Sequence, residues 1–110
     1  PGSPSVLVNM ILACEQHVEW ITNCIAHLNE RGADHIEAKV DAENAWTLHV
    51  NEQANRTLYP QANSWYLGAN VPGKPRVFMP YVGGFKVYSD KCDKIAENGY
   101  EGFFLETNDQ

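Results

Sequence analysis

Apolar side chains recur every three or four positions through residues 6–28, and acidic and amide side chains fill the positions between them. This spacing predicts one long amphipathic helix. Gly32 marks its end, because glycine suits the left-handed conformation that follows many helices. Ser3, Ser5 and Asn9 are all candidate N-caps, so the start of the helix stays open.

Residues 33–40 are polar and predict a connector. A second helix is predicted to begin after Asp41 as its N-cap and to end before Pro60, which disfavours helix at the residue preceding it. Residues 59–75 contain three prolines and two glycines and predict a long irregular loop. The second helix would place four apolar residues on one stripe: Trp46, Val50, Ala54 and Leu58.

Short elements are predicted for the rest of the chain. Residues 76–81 predict a strand, Gly83-Gly84 a turn, residues 89–98 a short helix and residues 102–106 a last strand. The pattern therefore predicts an α+β fold that is mainly α, built as a single segment over residues 1–110.

Charge and composition exclude some classes of function. The 110 residues carry a net charge of −6, and the only basic cluster is Lys74 with Arg76, so a nucleic-acid partner is not expected. No apolar run is long enough to cross a membrane. The chain has three cysteines, no secretory signal and no initiator methionine. We expect a cytoplasmic protein that is part of a longer chain.

Residues 68–74 match the first seven positions of a phosphate-binding P-loop. The eighth position is Pro75, which supplies neither a hydroxyl for magnesium nor a backbone donor. A glycine- and proline-containing loop is therefore the preferred interpretation.

Four soft metal ligands lie on the first predicted helix, at spacings of three, seven and three residues. They spread over more than two turns of one helix, whereas a zinc site needs ligands that converge. We expect no metal site from them, and the residues concerned are Cys14, His17, Cys24 and His27.

The aromatic pair Trp65 and Tyr66 lies in the predicted loop, where no amphipathic period requires large side chains. An indole offers a flat apolar face and an N–H donor, which suit a ribose or a nicotinamide ring. Trp65 could equally fold back into the core, and both alternatives stay open at this point.

Several stretches of the sequence resemble the C-terminal third of Baeyer–Villiger monooxygenases of the cyclohexanone and phenylacetone monooxygenase type. The match covers nearly the whole chain. The stretches that carry it are residues 2–5, 15–20, 49–52, 57–60, 64–66, 68–79 and 99–103, together with Leu7, Asn9, Met10 and Trp46.

In that family, FAD and NADPH domains together insert one oxygen atom from O2 into a ketone to give an ester or lactone. The resemblance implies that this chain is the C-terminal part of the flavin-binding domain plus a control loop at about residues 59–75. It has no Gly-x-Gly-x-x-Gly turn. We therefore expect no catalytic residue in this segment and no FAD, NADPH or metal bound by it alone, since the N-terminal FAD and NADPH domains are missing.

The resemblance also implies residue roles. The bulge that shapes the ketone pocket would consist of Pro4, Ser5, Val6, Leu7 and Val8, with Phe78 and Met79 as pocket wall. The helix start that faces the flavin ring would be Asn9 and Met10, and Trp65 would close over NADP.

A rival hypothesis is a non-catalytic α+β module that captures a partner with its aromatic loop. Flavin binding by the complete protein would separate the two hypotheses. Either way, the apolar stripe of the first helix is large enough that we expect the isolated segment to self-associate.

Overall fold

Three helices form most of the chain in a computed structural model that describes residues 2–5, 7–62 and 64–107. The first, α1, spans Met10–Arg31. Asn9 caps it, because its side-chain oxygen accepts the N–H groups of Ile11 and Leu12 at 3.0 and 3.3 Å. The predicted end at Gly32 is confirmed, with φ of 67°. Of the three candidate caps, Asn9 is the one that starts the helix, at Met10.

Helix α2 spans Val40–Asn55 and begins after Lys39, two residues before the predicted cap. Asp41 and Glu43 lie in its first turn, where acidic side chains interact favourably with the helix dipole. The helix also ends earlier than predicted. Leu58 therefore leaves the predicted stripe and is 77% exposed.

Helix α3 spans Phe85–Glu97 and begins four residues before the predicted start. Gly84 is the N-cap residue of this helix, and its φ of 103° is a conformation that glycine adopts without strain. The helix ends at Glu97, one residue before the predicted end, and Gly99 follows it with φ of 72°.

Two small sheets connect the helices. In one, β2 (His35–Ala38) pairs antiparallel with β4 (Phe103–Glu106), and His35 lies opposite Glu106. In the other, β1 (Ser3–Pro4) pairs parallel with β3 (Pro80–Tyr81). The connector predicted for residues 33–40 was wrong because it contains β2. The strand predicted for residues 76–81 is reduced to its last two residues.

The core lies between α2 and the predicted loop. Ala54, Leu67 and Phe78 form its buried cluster, and Tyr59, Tyr66 and Val82 pack around it. The loop contains two single-turn 3-10 helices, Tyr59–Gln61 and Trp65–Leu67. The described residues are thus mainly helical with short strands, which confirms the predicted fold class.

An apolar strip of α1 stays outside this core. We call it the α1 apolar face; each of its residues is at least 50% exposed, and they are Met10, Ile11, Val18, Ile21 and Ile25. Even so, none of the helices that the structure describes combines the length and apolar character needed to cross a membrane.

Candidate functional site

The pairing of β1 with β3 brings the start of the predicted pocket bulge close to the segment that follows the predicted pocket wall. Ser3 lies opposite Pro80, Pro4 lies opposite Tyr81, and the Gly2 N–H donates to the Met79 carbonyl oxygen. The two segments are more than 70 positions apart in the sequence. Their contact therefore comes from the fold and from no local signal.

The rest of the bulge runs from β1 to the α1 N-terminus. Pro4 is buried, Ser5 and Val8 are half-buried, and Leu7 is exposed. Val6 lies outside the described residues. Leu7 is thus the exposed side chain of the described part of the bulge, shortly before α1 begins at Met10.

The α1 N-terminus offers fewer free donors than a bare helix end. Asn9 already accepts the N–H groups of Ile11 and Leu12, which leaves the Met10 N–H as the first-turn donor outside the cap. A contact between this helix start and a flavin ring would therefore use Met10 together with the helix dipole.

Phe78 and Met79 occupy different environments. The Phe78 side chain is 2% exposed and lies in the core cluster with Ala54 and Leu67. Met79 is half-buried, and its N–H donates to the Tyr66 carbonyl oxygen at 3.0 Å. Met79 thus bonds to the loop through its N–H and to Gly2 through its carbonyl oxygen.

Trp65 lies on the surface of the loop. Its side chain is 62% exposed, and its ring centroid is 4.2 Å from that of Tyr66. Ser64 caps the turn, and Gly68 ends it with φ of 73°. Leu67 enters the core instead. Trp65 therefore lies outside the core of this chain, and a place in the core of a larger protein stays a prediction.

The role of Trp46 could not be read from its place on the predicted stripe. It is half-buried, and its indole N–H donates to the Gly2 carbonyl oxygen at 3.2 Å. Its ring stacks on Tyr81 at 5.1 Å between centroids, and the Lys91 Nζ lies 5.2 Å from its ring centroid. A partner 44 positions away gives no local sequence signal.

His49 and Tyr81 form a hydrogen-bonded pair beside Trp46, with 3.0 Å between the His49 Nε2 and the Tyr81 hydroxyl. Burial lowers the pKa of His49, and the positive charge of Lys91 adds to this effect. Burial raises the pKa of Tyr81. The two shifts favour the neutral form of both groups at neutral pH.

A cavity of about 450 Å³ lies between the three helices, and Trp46 is one of its lining residues. Trp20, Tyr88 and Cys92 line it, and burial raises the pKa of both Tyr88 and Cys92. Among the described residues, no group of three or more His, Cys, Asp or Glu side chains is arranged to hold a metal ion. The three cysteines are free.

Known proteins resemble this chain over almost all of its length. It is 44% identical over 106 residues to acetone monooxygenase (methyl acetate-forming) of Gordonia sp. (strain TY-5), covering 96% of this chain and 20% of that protein. It is 37% identical over 100 residues to a Baeyer-Villiger monooxygenase of Pseudooceanicola batsensis, covering 91% of this chain and 18% of that protein.

Among solved structures, oxidised steroid monooxygenase bound to NADP superposes with a TM-score of 0.88 and 45% identity, covering 98% of this chain and 19% of that one. No family model matches the chain. The resemblance that the sequence motifs predicted is confirmed. The chain spans about a fifth of the length of the relatives it matches.

Proposed function

We propose that this chain, a homologue of Baeyer–Villiger monooxygenases over nearly its whole length, is the C-terminal segment of an FAD- and NADPH-dependent enzyme of that type. It would contribute the end of the flavin-binding domain and a control loop at residues 59–75 to an enzyme with two dinucleotide-binding domains. The observation that carries this proposal is the similarity over nearly all of the chain, combined with its coverage of only a fifth of each relative.

The proposed reaction inserts one oxygen atom of O2 between the carbonyl carbon of a ketone and its neighbouring carbon. NADPH supplies two electrons, and the second oxygen atom leaves as water with one proton from NADPH and one from solvent. The products are an ester or lactone, NADP+ and water. FAD, held by the remainder of the enzyme, supplies the oxygen-activating chemistry.

Within this reaction the chain's own residues shape the ketone pocket. The bulge of Pro4, Ser5, Val6, Leu7 and Val8 would face the wall residue Met79, with Phe78 holding that wall in place. Support comes from the β1–β3 pairing, in which Pro4, the first residue of the bulge, lies opposite Tyr81, two residues after Met79. Such a wall orients the ketone and excludes water.

The cofactor contacts would lie at the two ends of this surface. Asn9 holds the start of α1, and Met10 presents its N–H and the positive end of the helix dipole towards the flavin ring. The exposed indole of Trp65 would close over the nicotinamide of NADP. Its exposure in the absence of the remaining domains supports this role, because a ring face is free to stack on a ligand.

We place the reaction in the cytoplasm. Its reducing conditions keep thiols free, and the free state of Cys14, Cys24 and Cys92 is consistent with this compartment. The partners of the segment would be the FAD and NADPH domains of the same enzyme.

The test is to purify the full-length protein that contains this segment and the 110-residue chain side by side. The full-length protein should retain flavin after desalting and oxidise NADPH faster with a ketone present, with ester or lactone formed in proportion. The isolated chain should be colourless and inactive. A full-length protein without flavin and without ketone-dependent NADPH oxidation would instead favour the binding module.

A further inference from the structure

Trp46 anchors the chain immediately before the predicted pocket bulge. Its indole N–H donates to the Gly2 carbonyl oxygen at 3.2 Å, while the Gly2 N–H donates to the Met79 carbonyl oxygen. Both polar groups of the Gly2 backbone are thus bonded, one to α2 and one to the wall residue Met79, which immediately precedes β3. The bulge begins two residues later, at Pro4.

The close approach of Gly2 to Trp46 requires glycine. Gly2 has φ of +78°, and a Cβ at this position would clash with the Trp46 Nε1 and lie 3.2 Å from the Val50 Cγ2. The Trp46 ring cannot move away easily, because it is stacked on Tyr81 at 5.1 Å between centroids. The contact between Gly2 and Trp46 therefore depends on the absence of a side chain at position 2.

The same hydrogen bonds continue into the loop that carries Trp65. The Met79 N–H donates to the Tyr66 carbonyl oxygen at 3.0 Å, and Tyr66 is the residue after Trp65. A continuous series of bonds therefore runs from Trp46 through Gly2 and Met79 to the turn at Tyr66. Besides Trp46, its members are Gly2, which lies two residues before the bulge, the wall residue Met79 and the loop residue Tyr66. The proposed function assigns that wall to the ketone and that loop to NADP.

We infer that Trp46 is a positioning residue of the monooxygenase reaction: its indole N–H holds Gly2 against Met79 and so sets the spacing between the pocket bulge and the pocket wall. This inference rests on the proposed function for the identity of the pocket, but the positioning itself is a property of this chain. Trp46 touches neither substrate nor cofactor in this role.

The test replaces Trp46 by Phe in the full-length protein, which keeps an aromatic ring on Tyr81 and removes the N–H donor. Trp20→Phe is the matched control. The Trp20 indole N–H also donates to a backbone carbonyl oxygen, that of Cys92, at 2.8 Å, and its side chain is likewise half-buried. That bond joins α1 to α3 and involves neither Gly2 nor Met79.

Trp46→Phe should raise the KM for the ketone roughly 2- to 10-fold, the range expected for one lost hydrogen bond, and should change the KM for NADPH less. Trp20→Phe should leave both constants within about twofold of the parent. Equal kinetic constants in Trp46→Phe and Trp20→Phe would overturn the inference. In that case the Trp46 indole would contribute to stability and would not position the pocket.

Amide hydrogen exchange supplies a readout that does not depend on activity. In Trp46→Phe, the amides of residues 2–5 and of Met79 should exchange faster, while Trp20→Phe should leave them unchanged. If the parent protein shows no ketone oxygenation but the exchange result holds, the proposed function fails and the positioning stands. If exchange is unchanged in Trp46→Phe, the positioning fails whatever the activity.

A second pair of variants covers the case in which Trp46→Phe does not fold. Gly2→Ala should shift the indole and produce the same faster exchange at Met79, with the same rise in ketone KM. Gly99→Ala is its control, since Gly99 has φ of +72° but a Cβ added there would meet no atom of the described residues within 4 Å. Equal effects of the two substitutions would attribute the result to backbone strain and reject the role of Trp46.

Discussion

The side chain of Asn51 joins helix α2 to the backbone of Phe78. Its Oδ1 accepts the Phe78 N–H at 3.3 Å, and its Nδ2 donates to the Thr47 carbonyl oxygen at 2.9 Å. Phe78 directly precedes Met79 in the chain, so the Asn51 side chain fixes the backbone at the predicted pocket wall. It also supplies a partner for a backbone donor of the buried residue Phe78.

Asn51→Ala should lower the free energy of unfolding by about 1–3 kcal/mol, because the Phe78 N–H loses its partner in a partly buried position. Chemical denaturation followed by tryptophan fluorescence measures the change. Asn98→Ala is the control, since the Asn98 amide bonds to Glu101 on the exposed surface. Its effect should stay within about 0.5 kcal/mol. Equal losses in both variants would contradict the role of Asn51.

His49 should make stability depend on pH. Burial and the charge of Lys91 lower the pKa of His49 in the folded chain, whereas its pKa in the unfolded chain is about 6.5. The unfolded state therefore binds the proton more readily. The stabilisation is complete above about pH 6.5 and is lost as the pH falls through the lower folded pKa.

Melting temperatures measured from pH 5 to pH 8 test this dependence. His49→Gln should reduce the fall in melting temperature between pH 6.5 and pH 5. His35→Gln, on the exposed strand β2, is the matched substitution and should retain the slope of the parent. A parent-like slope in His49→Gln would show that other groups cause the acid sensitivity.

The α1 apolar face should make the 110-residue chain self-associate. Its residues are exposed along one side of a 22-residue helix, and a continuous apolar strip of this length is rarely left in water. Sedimentation velocity at tens of micromolar should show dimers or larger species. Ile11→Glu should shift the chain towards monomer, whereas Leu58→Glu, at an exposed position outside this face, should not. A clean monomer of the parent chain would refute this prediction.

Local signals in the sequence predicted the parts of the fold that depend on neighbouring residues. Gly32 ends α1 where the left-handed cap was expected, and β4 lies within the predicted strand. Asn9 was among the candidate caps, but choosing it required its hydrogen bonds to Ile11 and Leu12. Periodicity alone therefore left the helix start open.

Features that depend on distant partners could not be predicted from the pattern of hydrophobic and polar residues. The β2 strand contains exposed polar residues, and its pairing with β4 comes from a segment about 70 positions away. The bond from Trp46 to Gly2 and the β1–β3 pairing have the same origin. Family resemblance named the pocket residues, whereas the residues that hold them together became apparent only in the fold.

Trp65→Ala in the full-length enzyme should raise the KM for NADPH and uncouple NADPH oxidation from ketone oxygenation. The indole is 62% exposed and lies outside the core, so its removal should change the melting temperature little. Closure over the nicotinamide would lose a ring face and an N–H donor, which corresponds to about 1–3 kcal/mol for the closed complex. Hydrogen peroxide released per NADPH consumed measures the uncoupling.

Trp20→Ala separates this effect from a loss of stability. Trp20 packs on Tyr100 at 5.2 Å between ring centroids and bonds to the Cys92 carbonyl oxygen, so its removal should lower the melting temperature. It should leave the coupling of the folded enzyme intact, because it lies away from the loop. A loop that closes poorly admits water, so that reduced oxygen leaves as hydrogen peroxide. A weakened core instead lowers the amount of folded enzyme without changing its chemistry. If Trp65→Ala instead melts far earlier and remains fully coupled, Trp65 stabilises the fold and the loop does not close over NADP.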